Sequence, residues 1–424
     1  FYRYHSCLTE PWDGPAAIVF SDGRWVGARL DRNGLRPLRY ILTEDGFVIA
    51  GSEVGIASIE PERVVERGRL GPGQMIAVDL EAERVYKDQD IKAEIATRKP
   101  YGEWLGRHMV SLARIAAPSG HGAPAAVNAH ANGKVPGNHA AAPTGEVADG
   151  RGEAQLTQHQ LAFGYTSEEL IVVLRPMAED GKEPGGSMGD DTALAVLSYQ
   201  PRPLFHYFKQ RFAEVTNPPI DHLRERLVFS LRTLLGARDN LLAERPEAAA
   251  LIELPGPVLL GHEMQALEEL ARRDTRFPLA RLDTVFPVAG GPEELARALA
   301  RVVREAEAAV DDGARLLVLC DRKVDEAHAP IPSLMAVGAV HHHLIRRGKR
   351  MLCSIIVESG EPREVHHIAA LLGYGASAVY PYLALETVAA MRYKDEALTP
   401  QAAQERFRKA CEEEIGRASC RERV

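Results

Sequence analysis

The sequence has 424 residues, 45% of them hydrophobic, and a formal net charge of -8. That length supports two or three domains with cores of their own, and scattered Lys and Arg under an acidic balance argue against specific DNA or RNA binding. No long apolar run and no basic-then-apolar leader is present, so neither a membrane span nor a signal peptide is predicted, and five cysteines without a CxxC pair fit a reducing cytoplasm.

The chain opens on FYRYHSCLTEPWDGP, without an initiator Met, and this strand-like start implies sheet partners upstream. Short β-rich runs then alternate with turn signals at Asp22-Gly23, Asn33-Gly34 and Asp45-Gly46, the pattern of antiparallel hairpins. A further strand pair turns near residues 81–83, and a helix is expected over 88–112, interrupted at Lys99-Pro100. In LDRNGLRPLRY, Asn33-Gly34 admits two readings, a pair of oxyanion donors or a tight turn. The turn is favoured, because Asn-Gly supplies positive φ without strain and Asp31, Arg32 and Arg36 can pair across the loop.

Residues 117–158 are Ala, Gly, Pro, Asn and His with almost no large apolar side chain, so burial cannot offset their ordering entropy and a flexible linker is expected. Helices are expected over 167–178, 202–212 and 222–235. Strands then fall at 283–287, 315–320, 351–357 and 376–380, between helices at 292–310, 333–347 and 363–372. That alternation is the signature of right-handed βαβ units on a parallel sheet, whose strand ends here carry Asp321-Arg322, Glu358-Ser359-Gly360 and Tyr380-Pro381-Tyr382.

Two further stretches could carry chemistry. The Gly-rich run around Ser187, Met188 and Asp190-Asp191 could cradle phosphate or hold a divalent ion, or an Asp could simply cap a following helix. Thr216-Asn217-Pro218-Pro219-Ile220-Asp221 is stiff and short of amide donors, which suits an interdomain surface or channel, or only a rigid connection. From about Gly416 the chain runs into a basic tail that reads as foreign or disordered.

The histidines raise the question of a metal. On a helix, successive residues point about 100° apart, so His341, His342 and His343 cannot converge on one ion. Ala336, Val337, Val340 and Leu344 define a buried arc with His341 at its edge, His343 at the opposite margin and His342 on the far side. In the second helix, Val365, Ile368, Ala369 and Leu372 face inward, His366 flanks them and His367 points outward. His341 and His366 alone would give two ligands where zinc takes at least three, so the histidines read as structural and no metal is assigned.

YHSCLTEPWDGPAAIVFSDG, LDRNGLRPLRY, GSEVG and GRLGPGQMIAVD together resemble the later part of the glutaminase domain of the glutamate synthase large-subunit family. FGYTSEEL, PGGSMGDDTALAVLS, FKQRFAEVTNPPID, IPSLMAVGAVHHHLIRRG and VESGEPREVHHIAALLGYGASAVYPYLALET resemble its central domain, in the same order. The fold so implied is α+β then α/β: the end of an Ntn-type αββα sandwich (1–116), the linker (117–158), a βα-alternating, flavin-barrel-like central domain without cofactor (159–405), and a truncated helix with a non-native tail (406–424).

The resemblance further implies an enzyme that hydrolyses L-glutamine at an N-terminal cysteine, passes ammonia through a tunnel and condenses it with 2-oxoglutarate at a flavin site. Phe1 is not that cysteine, and Asn33-Gly34 does not inherit the family's oxyanion pair, so no catalytic residue is carried over. Ser187, Met188, Thr216, Asn217 and Asp221 are the candidates for a tunnel or interdomain wall; Asp31, Arg32, Asn33, Gly34 and Arg36 form a structural loop. FMN and an iron–sulfur cluster belong by implication to the intact subunit, with no cofactor on this stretch. The implied partners are the flanking glutaminase and flavin domains and a small NADPH-oxidising subunit. A scaffold or regulatory module derived from the enzyme, a stand-alone flavin-dependent (β/α) oxidoreductase and a zinc enzyme are the alternatives.

Overall fold

The computed structural model describes residues 1–9, 15–31, 34–53, 55–116, 150–184, 196–199, 202–208 and 230–421. They fall into two compact units. The first comprises Phe1–His108 and Asn240–Ala249; the second takes its residues from Met109–Glu214, Ile220–Asp239 and Ala250–Val424.

The first unit begins with a helix, α1 (Tyr2–Leu8), rather than the expected strand. Tyr4, Cys7 and Leu8, spaced i, i+3, i+4, are its buried residues, and Tyr4 and Leu8 pack against Tyr101, Ala248 and Ala249. Seven strands follow: β1 (Ala17–Ser21), β2 (Trp25–Leu30), β3 (Arg39–Thr43), β4 (Val48–Gly51), β5 (Val64–Arg69), β6 (Met75–Asp79) and β7 (Arg84–Lys87). They form two antiparallel sheets, ordered β1-β2-β6-β7 and β4-β3-β5. Ala28, Leu30 and Ile76 of the first sheet and Tyr40 of the second share one core with Leu38 and Leu70.

Hairpins form at Asp22-Gly23, where Asp22 Oδ1 accepts the amides of Arg24 (3.0 Å) and Trp25 (2.6 Å), and at Asp45-Gly46. The strands on either side of Asn33-Gly34, β2 and β3, do not pair with each other as a hairpin would. The second edge of β2 is taken by β6, so the chain crosses there from one sheet into the other. Two helices close the run, α2 (Asp88–Thr97) and α3 (Tyr101–His108), parted by Pro100, and the helix expected to reach residue 112 stops short of Val110.

In the second unit, β8 (Val110–Ser111) leads into α4 (Leu112–Ile115). Helix α5 (Gly150–Ala162) starts inside the expected linker. Thr166 and Glu169 form a reciprocal capping box at α6 (Ser167–Glu169), which continues through a π turn, Leu170–Leu174, into α7 (Arg175–Asp180). Within 222–235, where a helix was expected, Thr233–Leu235 is a strand, β9, which pairs with β10 (Ile252–Leu254) and through it with β8.

After α8 (Gly261–Arg273) come β11 (Leu279–Asp283), β12 (Val285–Pro287), α9 (Pro292–Asp311), β13 (Leu316–Cys320), β14 (His328–Pro330) and α10 (Ser333–Arg346). Then follow β15 (Ser354–Glu358), α11 (Val365–Gly373), β16 (Ala378–Tyr380), α12 (Tyr382–Ala390) and α13 (Pro400–Arg421). The strand expected at 283–287 is split. Its second half is β12, antiparallel to β14, and the strand that joins the parallel sheet lies earlier, at β11. Helix α13 runs past Gly416, where a disordered tail was expected.

The parallel sheet has the order β11-β13-β15-β16, each strand beside its predecessor. The connecting helices α9, α10 and α11 pack on one face of this sheet. On that face Leu317, Leu319, Ile355, Val357 and Val379 meet Val302, Val337, Val340, Ile368, Val388 and Phe407. The alternate residues Leu316, Val318, Cys320, Ile356 and Ala378 turn to the other face, against Leu112, Leu235, Ile252, Leu254, Met264, Leu267 and Phe277. Burial on both faces explains why these strands read as continuous apolar runs.

Candidate functional site: the carboxyl edge of the parallel sheet

The carboxyl ends of β13, β15 and β16 bring together the residues that the alternation pointed to. Asp321, 1% exposed, accepts Ser359 Oγ (2.5 Å) and the Gly360 amide (3.1 Å), and Tyr382 also hydrogen-bonds to it. Burial outweighs these donors and pushes the carboxyl up to about 7. Glu358 is also buried, but it is paired twice, with Arg281 and with Arg322 Nε (2.5 Å). Arg322 reaches Glu386 as well (3.1 Å), and its guanidinium carbon lies 3.9 Å from the centre of the Tyr382 ring. Cys320, behind this layer, has its thiol raised to about 11, by burial first and the Glu358 charge second, and is no nucleophile near neutrality.

Over this edge sits the segment between α5 and α6. Tyr165 donates its hydroxyl to the Gly360 carbonyl (2.9 Å), and a β-carbon placed on Gly360 would lie 2.6 Å from the Phe163 ring. Arg363, buried, pairs with Glu169 (2.8 Å), donates to the carbonyls of Phe163 (3.3 Å) and Gly164 (3.1 Å), and lies over the Tyr165 ring at 4.5 Å. Glu361, its carboxyl raised by burial, accepts the Ser333 amide and hydroxyl, both at 2.6 Å. The edge is thus filled by the chain's own aromatic and charged groups. The Gly360 amide is already committed to Asp321. Ser359 and Asp321, the hydroxyl and carboxyl that meet here, are both buried, at 2% and 1% exposure.

The histidines take separate partners. His341 Nδ1 accepts Arg350 Nε (2.9 Å), His342 is exposed, and His343 Nε2 meets Glu307 (2.6 Å). In the second helix the expected arc is shifted. Leu371 is buried while Ala369 and Leu372 are half-buried, and His366 and His367 both lie inside. The cause is a 3₁₀ turn, Leu204–Tyr207, that covers a second side of α11: His366 Nε2 lies 3.0 Å from the Phe205 carbonyl, and His367, with no exposed surface, stacks on the Phe205 ring at 4.4 Å. His206 of that turn, Glu364 and His367 form the one group of three metal-ligand side chains among the described residues. Its signal in the sequence was Glu364-x-x-His367, an i, i+3 pair at the start of a helix.

Asp31 holds its loop through several bonds. Its carboxylate accepts the Ala16 amide (3.1 Å), and its carbonyl accepts the amides of Gly34 (3.2 Å) and Gly73 (2.8 Å). Gly34 has φ +61, with Pro72 2.8 Å from where a β-carbon would stand, and Arg36 is exposed. Arg32, Asn33, Ser187, Met188, Asp190, Asp191, Thr216, Asn217 and Asp221 lie outside the described residues. No described helix is long and apolar enough to cross a membrane.

The geometry defines a two-unit mixed α/β protein whose second unit is a parallel sheet with a filled carboxyl edge. The chain belongs to the glutamate synthase family: residues 158–419 match the family described as "Glutamate synthase central domain", and residues 1–104 match "Glutamine amidotransferases class-II". It is 45% identical over 387 residues to "Glutamate synthase [NADPH] large chain" of Bacillus subtilis, covering 91% of this chain and 23% of that one. "Ferredoxin-dependent glutamate synthase 2" of Synechocystis is 46% identical (92% and 23% covered), and the NADPH large chain of Azospirillum brasilense 44% (91% and 24%). The chain therefore spans about a quarter of the length of these relatives. A flavocytochrome b2 mutant with pyruvate bound covers 37% of this chain and 34% of its own at a TM-score of 0.25 and 12% identity.

Proposed function

We propose that this chain is the part of a glutamate synthase large subunit in which the glutaminase domain ends and the central domain follows. The observation that carries the reading is the succession of the two family matches in one chain. On this reading 1–116 ends the glutaminase domain, 117–158 connects, 159–405 is the central domain and 406–424 follows it as a helix. Two antiparallel sheets sharing a core support the αββα sandwich, and sequential parallel strands support a barrel-like central domain.

The whole enzyme converts L-glutamine and water into L-glutamate and ammonia. It then joins ammonia to 2-oxoglutarate with loss of water, and a hydride and a proton complete the second L-glutamate. FMN would deliver that hydride and an iron–sulfur cluster would feed it, both in flanking sequence of the intact subunit. NADPH, through a small subunit, is our choice of electron source, and the cytoplasm our choice of compartment.

This chain contributes spacing and enclosure. Ser187, Met188, Thr216, Asn217 and Asp221 line the ammonia path or the wall between domains, keeping ammonia from water. Two measurements test the reading. The 424-residue chain alone neither hydrolyses glutamine nor shows flavin absorbance, and Asn217→Trp in the intact enzyme makes glutamine loss outrun glutamate formation. Glutaminase activity in the isolated chain, or unchanged coupling in the variant, overturns the corresponding part.

A further inference from the structure

We infer that His206, Glu364 and His367 form a binding site for a divalent transition-metal ion of the zinc type, clamping the 204–207 turn onto the start of α11. Glu364 is the N-cap of that helix and His367 lies three residues on, so both side chains project from its first turn, and His206 comes from the 3₁₀ turn packed against it. One ligand atom from each lies within 4.8 Å of the others. Two imidazoles and a carboxylate suit zinc, with water in the fourth place, rather than calcium or magnesium, which prefer all-oxygen shells.

The second observation is His367 itself. Its side chain has no exposed surface, and its Nε2 lies 2.7 Å from Glu364 Oε1. Nδ1 accepts the Arg363 amide, so the ring proton sits on Nε2 facing the Glu364 carboxylate, and an ion bound between them displaces that proton. Ligand bonds of about 2.0–2.2 Å need donor atoms roughly 3–3.5 Å apart. Glu364 therefore withdraws slightly and His206 closes in, both from partly exposed positions, while stacking on Phe205 keeps the His367 ring in place. Binding through Nε2 leaves the ring proton on Nδ1. That nitrogen otherwise lies 3.4 Å from the Arg363 amide as an acceptor, so the ion changes the tautomer.

Equilibrium dialysis of the 424-residue chain against zinc chloride tests the site, with cobalt(II) as a coloured probe. The expected result is one equivalent of zinc lost in Glu364→Gln and again in His206→Gln, but kept in a His341→Gln, His342→Gln double variant. The cobalt d–d bands vanish in the same two variants, and ¹⁵N imidazole shifts report the proton on His367 Nδ1 when zinc is present. Zinc uptake that is absent, or that is the same in both ligand variants as in the unaltered chain, overturns the proposal.

Discussion

Asp321 turns the filled sheet edge into a measurable pH dependence. Its carboxyl is raised from the ordinary 3.8 to about 7 because it is enclosed under Gly360 and Tyr382, and only then stabilised by the donors that meet it. A group whose folded pKa is raised favours the protonated, folded form. Its stabilisation is complete below pH 3.8 and is lost as pH climbs through 7. Between pH 5 and 8 this amounts to about two tenfold changes in the folding equilibrium, roughly 3 kcal/mol. The opening free energies of amides in β13 and β15, from native-state hydrogen exchange corrected for intrinsic rates, should therefore fall by about that much across the interval. Asp321→Asn, which cannot ionise, should remove this slope while costing stability at pH 5, because an amide cannot accept all three donors. The same slope in both proteins would show that Asp321 is not the group responsible.

The remaining expectations concern packing and charge. Phe163→Ala should cost about 3–5 kcal/mol in urea unfolding, as a buried aromatic lost from the sheet edge, and Gly360→Ala about 1–3 kcal/mol because its new methyl meets that ring. The second change should be cheaper in the background of the first, and strict additivity would argue against the contact. Gly375→Ala combines a φ of +111 with a methyl driven onto the His341 ring, so it should lower the Tm more than Gly373→Ala, which meets nothing. Glu307 is held down to about 2 by hydrogen bonds from Lys349 and His343; its contribution is present above 4.5 and disappears as pH falls through 2. Glu307→Gln should therefore be less stable at pH 7, by a margin that shrinks in thermal scans at pH 3.

Much of this arrangement is legible in the amino-acid sequence alone, and each failure has a physical cause. Short β-rich runs and Asp-Gly turns betray β1-β2 and β3-β4, because hairpins are set by neighbours in the chain. The apolar runs at Leu316–Cys320 and Ser354–Glu358 stand out because both faces are buried, and their ends name Asp321, Glu358 and Tyr382. Arg281-Leu282-Asp283, with a charge at either side, hides the parallel strand β11, whose Arg281 is drawn in by Glu358. Similarly, α1 is rich in aromatic residues of strand propensity, although Tyr4, Cys7 and Leu8 already carried the helical spacing. His367 escapes for a different reason: helical periodicity identifies one inward face, and the turn bearing Phe205, some 160 residues earlier, covers another.

Arg363 also bears on the order of events during synthesis. Its partners Phe163, Gly164 and Glu169 precede it by 200, 199 and 194 residues. At about 5–20 residues per second, the ribosome exposes them some 10–40 s before their guanidinium emerges. Through that interval Phe163 and Tyr165 have no surface to cover, and nascent chains halted before residue 363 should be good chaperone clients, whereas those released after the α11 sequence has emerged should resist protease between α5 and α6.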